Sequence, residues 1–262
     1  MKLLLAAVVV PKAVILAIAL QGLFFAAPAQ AEEPAFKLTA GLLMGKAGED
    51  PSSRALDVNL RHSSRLGNVW VGWFRQPDPD VIVDLTQGRA GWDNTFEVGA
   101  FHVQPSIQAA SAGFWGGSLN VETGATIDPN WYAGAGLGRT NLRPYVNLNY
   151  DPNDALMASG GYRWSGHESL GVQWVRDNRE NPDQRHLHLM YRTGLAEAQR
   201  LTLDVLSKSG NVTNNAGDTF KINKLGASVT YDWREHFVRL AYDPKVNFTN
   251  QDMLRVSVGT RF

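Results

Sequence analysis

The sequence predicts an all-β protein: a transmembrane antiparallel up-and-down β-barrel of about 14 strands, with twelve as the alternative count. Three observations carry this reading. From residue 35 onward, short segments of alternating apolar and polar residues are separated by turn signals, and no stretch sustains a helical period. The connections between those segments alternate in length. Away from the segment ends, the charged residues sit mostly on one face while the opposite face is apolar.

Residues 1–31 carry Lys2 and Lys12, no acid, and a long apolar run that ends Ala29-Gln30-Ala31. A basic start, an apolar core and a small-x-small site read as a secretory signal peptide. The barrel then occupies 32–262. Without 1–31 the chain has 23 basic and 25 acidic residues, and no Cys anywhere. That balance argues against a nucleic-acid partner, which calls for a basic excess. An exported chain without Cys has no disulfide scaffold, so stability must come from a packed core or a closed hydrogen-bonded network. After Ala31 no apolar run is long enough for a membrane-spanning helix.

The elements follow in order. Phe36–Lys46 places Leu38, Ala40, Leu42 and Met44 on one face. Arg54–Ser63 opposes Leu56, Val58 and Leu60 to Asp57, Asn59 and Arg61. Asn68–Arg75 is rich in Trp70, Trp73 and Phe74. A long connection, 76–91, precedes a fourth strand at Trp92–Val103, and Gln104–Ser106 reads as a tight turn. Ile107–Glu122 is taken as one strand, although Gly116-Gly117 interrupts it. Further strands are expected near Trp131–Arg139, Arg143–Tyr150, Ala155–Trp164, Glu168–Arg176, Gln184–Thr193, Arg200–Lys208, Phe220–Trp233, Phe237–Tyr242 and Gln251–Phe262. At roughly 16 residues per strand and connection the count of fourteen is tight, which keeps twelve open.

Connections 47–53, 76–91, 123–130, 151–154, 177–183, 209–219 and 243–250 are mostly longer and polar. Those between them, 64–67, 104–106, 140–142, 165–167, 194–199 and 234–236, are short. This is the pattern of long extracellular loops and short periplasmic turns. Calling the end with both chain termini the inner end, Trp164, Tyr191, Tyr231, Trp233, Phe237 and Phe262 fall near inner strand ends. Trp73, Trp92, Trp131, Tyr150, Trp174 and Tyr242 fall near outer ends. Two aromatic belts are expected, because amphipathic rings prefer both membrane–water interfaces.

The last strand is the most specific signal. Leu254, Val256, Val258, Thr260 and Phe262 alternate with Arg255, Ser257, Gly259 and Arg261. This resembles the closing strand of Gram-negative outer-membrane β-barrels, whose assembly machinery reads a terminal Phe behind alternating apolar residues. The resemblance implies outer-membrane localisation, with Phe262 as the assembly signal. Outer-membrane lipids, lipopolysaccharide and the barrel assembly machinery become the expected partners of a monomer.

A charge facing lipid at mid-bilayer costs roughly 2–4 kcal/mol, so charged faces must turn to the lumen. The expected lumen-lining set is Asp57, Arg61, Glu97, Arg143, Arg163, Arg192, Asp204, Arg239, Asp243 and Arg255. Arg261 joins it on the last strand. Arg is in excess. At about 14 strands the interior is wider than the eight-strand size that side chains fill, which favours an aqueous path. Connection 76–91, with its apolar Val81-Ile82-Val83, is read either as a constriction folded inward or as a surface loop.

Three motifs are candidates for chemistry. His62-Ser63-Ser64 puts His62 and Ser64 on one face, and this His-x-Ser resembles outer-membrane lipid A 3-O-deacylases, where His activates Ser. Arg65 stands where that family carries Asn. His186 and His188, two residues apart on a lumenal face beside Glu180 and Asp183, are candidate metal ligands without a third ligand fixed by spacing. Gly134, Gly136 and Gly138 imitate a phosphate loop, but no helix follows them, so they are read as leaving lumenal space. No cofactor is called for. The leading expectation is a small channel for polar or anionic solutes. The alternatives are a lipid A or phospholipid hydrolase, and a structural or adhesion barrel acting through its loops. Deleting Phe262 should lower the folded, membrane-inserted yield in cells, measured by heat-modifiable migration of envelope fractions, while leaving activity per inserted molecule unchanged.

Overall fold

A computed structural model of the chain describes residues 35–46, 53–76, 85–111, 114–138, 155–164, 168–177, 184–213, 218–246 and 251–262. The expected signal peptide lies outside them. The strands are β1 (Phe36–Lys46), β2 (Ser53–Ser64), β3 (Gly67–Gln76), β4 (Leu85–Asp93), β5 (Phe96–Val98), β6 (Phe101–Ala110), β7 (Phe114–Thr123) and β8 (Trp131–Gly138). They continue as β9 (Ala155–Arg163), β10 (Ser169–Asp177), β11 (Gln184–Ala196), β12 (Gln199–Thr213), β13 (Thr219–Trp233), β14 (His236–Asp243) and β15 (Asp252–Arg261).

Every strand but the short β5 pairs antiparallel with its two neighbours in one ring. β1 pairs β15 and β4 pairs β6, so fourteen strands close the sheet. The closing seam aligns Leu42 with Val256 and Leu38 with Thr260. Beyond it, the Phe36 and Phe262 amides each donate to the other's carbonyl, at 2.8 and 3.0 Å. Closure is what a membrane demands, because lipid offers a backbone amide no partner.

Burial is inverted relative to a water-soluble protein. Leu56, Val71, Ile107, Leu137, Leu189, Val205, Leu225 and Val258 are exposed, whereas Asp57, Arg89, Gln108, His188, Asp204, Lys208 and Arg255 are buried. Alternation along each strand sends the first set outward and the second inward. The exterior is therefore an apolar band and the interior a polar lumen, which fits a transmembrane barrel and nothing soluble.

The strand total matches the expectation, but its parts differ, most of all between residues 76 and 154; β11 and β12 also run on to Ala196 and Thr213, into stretches read as connections 194–199 and 209–219. β4 begins within the stretch read as connection 76–91 and ends at Asp93. Its outward residues are Thr86, Gly88, Ala90 and Trp92, mostly small, so its apolar face gives a faint signal. Trp92–Val103 is not one strand: the chain leaves β4 at Asp93, forms β5, and turns at Gly99, whose φ is 60°. Gln104–Ser106 is not a turn but the interior of β6. Pro105 is tolerated there because β4 pairs only as far as Ser106 and β5 only from Val103, so no neighbour asks for its missing N–H. Ile107–Glu122 is split between β6 and β7. Arg143–Tyr150 lies outside the described residues, and β8 pairs directly with β9. β4 is an additional strand of the wall, and the closed ring holds the expected fourteen. Connection 123–130 thereby moves to the inner end, and with it Trp131; Trp92 also belongs to the inner end. Tyr150 is outside the described residues.

The inner aromatic belt is extensive. Trp131 meets Tyr162 edge-on at 4.9 Å, Tyr162 meets Trp164 at 5.6 Å, and Trp164 meets Tyr191 at 6.4 Å. Tyr231 stacks on Trp233, and Phe36 stacks on Phe262. Phe237 departs from the expectation: it is buried on the lumenal face, lying against Gly259 and under the cations of Lys37 and Arg261.

Inside, a buried charged triad ties five neighbouring strands. Asp57 on β2 accepts from Arg89 on β4 and, at 3.1 Å, from Arg255 on β15. Asn59 donates to the same carboxylate at 2.9 Å. Each arginine must pass over an intervening strand. Arg255 passes Gly41 of β1, where an added Cβ would stand 3.2 Å from its Nε. Arg89 passes Gly72 of β3, where an added Cβ would overlap the Asn59 amide. Asp57→Ala would leave two buried guanidinium groups without a counter-charge. Removing one partner of a buried ion pair costs about 3–5 kcal/mol, so this variant should unfold at a clearly lower urea concentration in vesicles than Asn59→Ala does.

Candidate functional site

The lumen has two regions. At the outer end of the β15–β1–β2–β3 wall, lumenal Met253, Leu43, Ala55 and Phe74 form an apolar cluster. Val246, from the connection after β14, packs into it, so this connection folds inward. Lys208 anchors the same segment: its Nζ donates to Asp243 at 2.6 Å and to the Lys245 carbonyl at 3.0 Å. The triad of Asp57, Arg89 and Arg255 lies just inward of this cluster. Connection 76–91 was the expected constriction; its residues 77–84 lie outside the described residues, and the inward segment that the structure places is 244–246.

The inner half holds a cavity of about 100 Å³ against β1 and β11–β15. Five cationic side chains line it, Lys37, Arg192, Arg200, Arg239 and Arg261, with two acids, Asp204 and Asp232. Both acids are engaged. Asp232 accepts from Arg261 and lies 3.6 Å from Arg200. Asp204 takes Nδ1 of His188 at 3.1 Å. Five positive charges against two negative leave a formal excess of three on the lining. Thr202, Thr230 and Ser228 add hydroxyls, and Arg239 Nε donates to the Thr230 hydroxyl at 2.9 Å. The buried Nε of Arg200 has no hydrogen-bond partner within the protein. Such a lining attracts small anions and offers them forked donors.

Register fixes where the sequence-expected lumenal residues go. Asp57, Arg61, Arg163, Arg192, Asp204, Arg239, Asp243 and Arg255 all lie on the strand face opposite the exposed apolar residues. Arg61 pairs with Asp93 at 2.5 Å, and Arg163 with Glu122 at 2.6 Å. Glu97 is on β5 at the inner rim, 86% exposed, and not on the barrel wall. Arg143 lies outside the described residues. Arg89, Lys37, Arg200 and Lys208 were not singled out from sequence. Arg89 sits in the strand whose apolar alternation is faint, and the others needed cross-strand register to be placed.

The remaining motifs fall as follows. His62 and Ser64 share the outward face at the inner rim. The His62 ring lies 4.7 Å from that of Phe36, and Ser64 Oγ donates to the Gly67 carbonyl at 3.0 Å, closing the β2–β3 turn. A nucleophilic serine gives that proton to its base, so this arrangement is one of a turn. His186 and His188 both face the lumen with ring centroids 6.3 Å apart, and His188 is committed to Asp204. Glu180 and Asp183 lie outside the described residues, and among the described residues no three His, Cys, Asp or Glu side chains are placed to share a metal. Gly134 and Gly136 face the lumen, where Ser159 and Asn120 occupy the space their side chains would take. Gly138 adopts φ 84°.

No protein-family model and no curated protein matches the chain. Among solved structures, it is similar to Salmonella typhi OmpF in complex with daunomycin, at 10% identity and a TM-score of 0.44, over 87% of this chain and 97% of that one. It is also similar to a triple mutant of Rhodopseudomonas blastica porin, at 10% identity and a TM-score of 0.41, over 87% and 99% of the two chains.

Proposed function

We propose that the barrel is a small, porin-like channel of the outer membrane that passes small polar solutes and prefers anions. The observation that carries this is the cationic inner cavity, set in the polar lumen of a closed fourteen-stranded wall. A barrel of this strand number is wider than one that side chains fill. Rings of fixed charge bias which ions enter such a lumen. In this reading residues 1–31 direct export and are removed, and the inserted protein works as a monomer with the long connections outward.

The outer half shapes the path. The apolar cluster and the inward segment 244–246 narrow one side, so conductance should be small for the strand number. Solutes entering from the long-loop end pass this region before reaching the arginines. No redox or covalent step is needed, and selectivity rests on fixed charge.

Planar-bilayer recording tests the proposal. Purified protein should give discrete steps, and a salt gradient should produce a reversal potential of anion-preferring sign. The double variant Arg192→Ala, Arg239→Ala should lower the anion-to-cation permeability ratio severalfold while keeping the steps. Absence of steps, or a cation-preferring wild type, would contradict the proposal.

A further inference from the structure

Among the described residues, most lumenal arginines are matched to an acid. Arg89 and Arg255 share Asp57, Arg61 holds Asp93, Arg163 holds Glu122 and Arg261 holds Asp232. Arg192 and Arg200, both on the lining of the inner cavity, depart from that rule. Arg200 lies 3.6 Å from Asp232, too far for a hydrogen bond, and Arg261 already holds that carboxylate. Asp232 also attracts Arg192 electrostatically, so one carboxylate serves three guanidinium groups. Among the described residues, neither the Arg192 nor the Arg200 side chain has a hydrogen-bond partner in the protein, and the buried Arg200 Nε is left without an acceptor. The Thr202 hydroxyl is likewise without one. Polar groups that line a closed wall are ordinarily satisfied, so three unsatisfied neighbours call for a ligand or water.

Register puts these three groups together. Arg192 stands directly across from Thr202, and Arg200 is two residues from Thr202 on the same lumenal face of β12. Arg192 and Arg200 are therefore diagonal neighbours, about 7–8 Å apart along the wall, a span that two long forked side chains can close on one ion. Beyond Thr202 the row continues through Thr230 to Arg239. Asp204, one row further out, is engaged by His188. Arg192, Arg200 and Arg261 carry three positive charges and Asp232 one negative, so two positive charges are left over.

We propose that Arg192, Arg200 and Thr202 form a binding site for a compact, doubly charged oxyanion, inorganic phosphate or sulfate. One such ion offsets both remaining charges, whereas chloride or a monocarboxylate offsets one. Guanidinium forks meet the oxygens of an oxyanion two at a time, and the hydroxyl adds a donor between them. The cavity is about 100 Å³, well below the roughly 300–1,000 Å³ of pockets that take drug-sized ligands, which selects a small ion. Entry and exit of the ion rest on the channel reading, in which the site is a stop along the lumen that binds firmly enough to enrich the ion and loosely enough to release it. Binding itself does not require conduction.

Isothermal titration calorimetry on the full chain, folded in detergent at mildly alkaline pH, reads binding alone and so separates failure of the site from failure of the channel. Inorganic phosphate, sulfate, chloride and acetate are titrated in turn, and the phosphate and sulfate arms show which oxyanion the site takes. The expected result is one-to-one binding of phosphate or sulfate, at least tenfold tighter than that of chloride or acetate. Arg200→Lys keeps the charge but replaces a fork with a point donor, and should weaken the oxyanion binding at least tenfold. Equal affinity of the wild type for singly and doubly charged anions, or no one-to-one binding of phosphate or sulfate, would overturn the site whatever the bilayer recordings show and even if the variant fails to fold. So would undiminished binding by an Arg200→Lys protein that keeps its heat-modifiable migration.

Discussion

Every strand of this protein must find its backbone hydrogen bonds in another strand, because the apolar phase around it offers none. The pairing of β1 with β15 and of β4 with β6 is therefore the constraint on which the rest depends. Once the ring closes, the pleat decides everything else. Each side chain is sent to lipid or to lumen by its parity, and a shift of one residue would drive charges into hydrocarbon.

The lumenal face solves a second problem, how to keep many charges inside a narrow tube without blocking it. Long side chains are laid along the wall and not aimed at the axis. Arg255 crosses Gly41 to reach Asp57, and the Asp57 carboxylate is fully buried, at 0% exposure. Arg163 lies over the Tyr132 ring, 4.0 Å from its centroid, while meeting Glu122 on the far side of β8. Glycine and small residues on the crossed strands are what permit this. The pattern stiffens the wall by bridging strands two apart, as Lys208 and Asp243 do across β13. Where the acids run out, on the β11–β15 side of the inner half, the arginines remain in excess and the cavity becomes cationic.

Much of this was legible in the sequence, for a physical reason. Period-2 alternation with large apolar residues, as in β1, β2, β12 and β15, is strong enough to reveal the element and assign its faces. The reading failed where that contrast is weak. β4 turns Thr86, Gly88 and Ala90 to lipid, so its alternation resembles a loop, and Pro105 mimics a turn while sitting at a gap in pairing. Strand parity exposed the lumenal charges but not their partners. Asp57 bonds to a residue 198 positions away, and nothing local announces Arg255 as its neighbour. The inward fold of 244–246 was equally hidden, because Val246 finds its apolar partners on β1, β2, β3 and β15.

The most direct test uses the absence of Cys from the chain. Single cysteines placed along β11, as Leu189→Cys, Met190→Cys, Tyr191→Cys and Arg192→Cys, can be labelled in folded, vesicle-inserted protein with a charged maleimide that stays in water. Met190 and Arg192 line the cavity, while Leu189 and Tyr191 belong to the outer wall. Fast labelling at 190 and 192, with slow labelling at 189 and 191, is the predicted result. Uniform labelling, or the reverse alternation, would contradict a lipid-facing wall around a water-filled lumen.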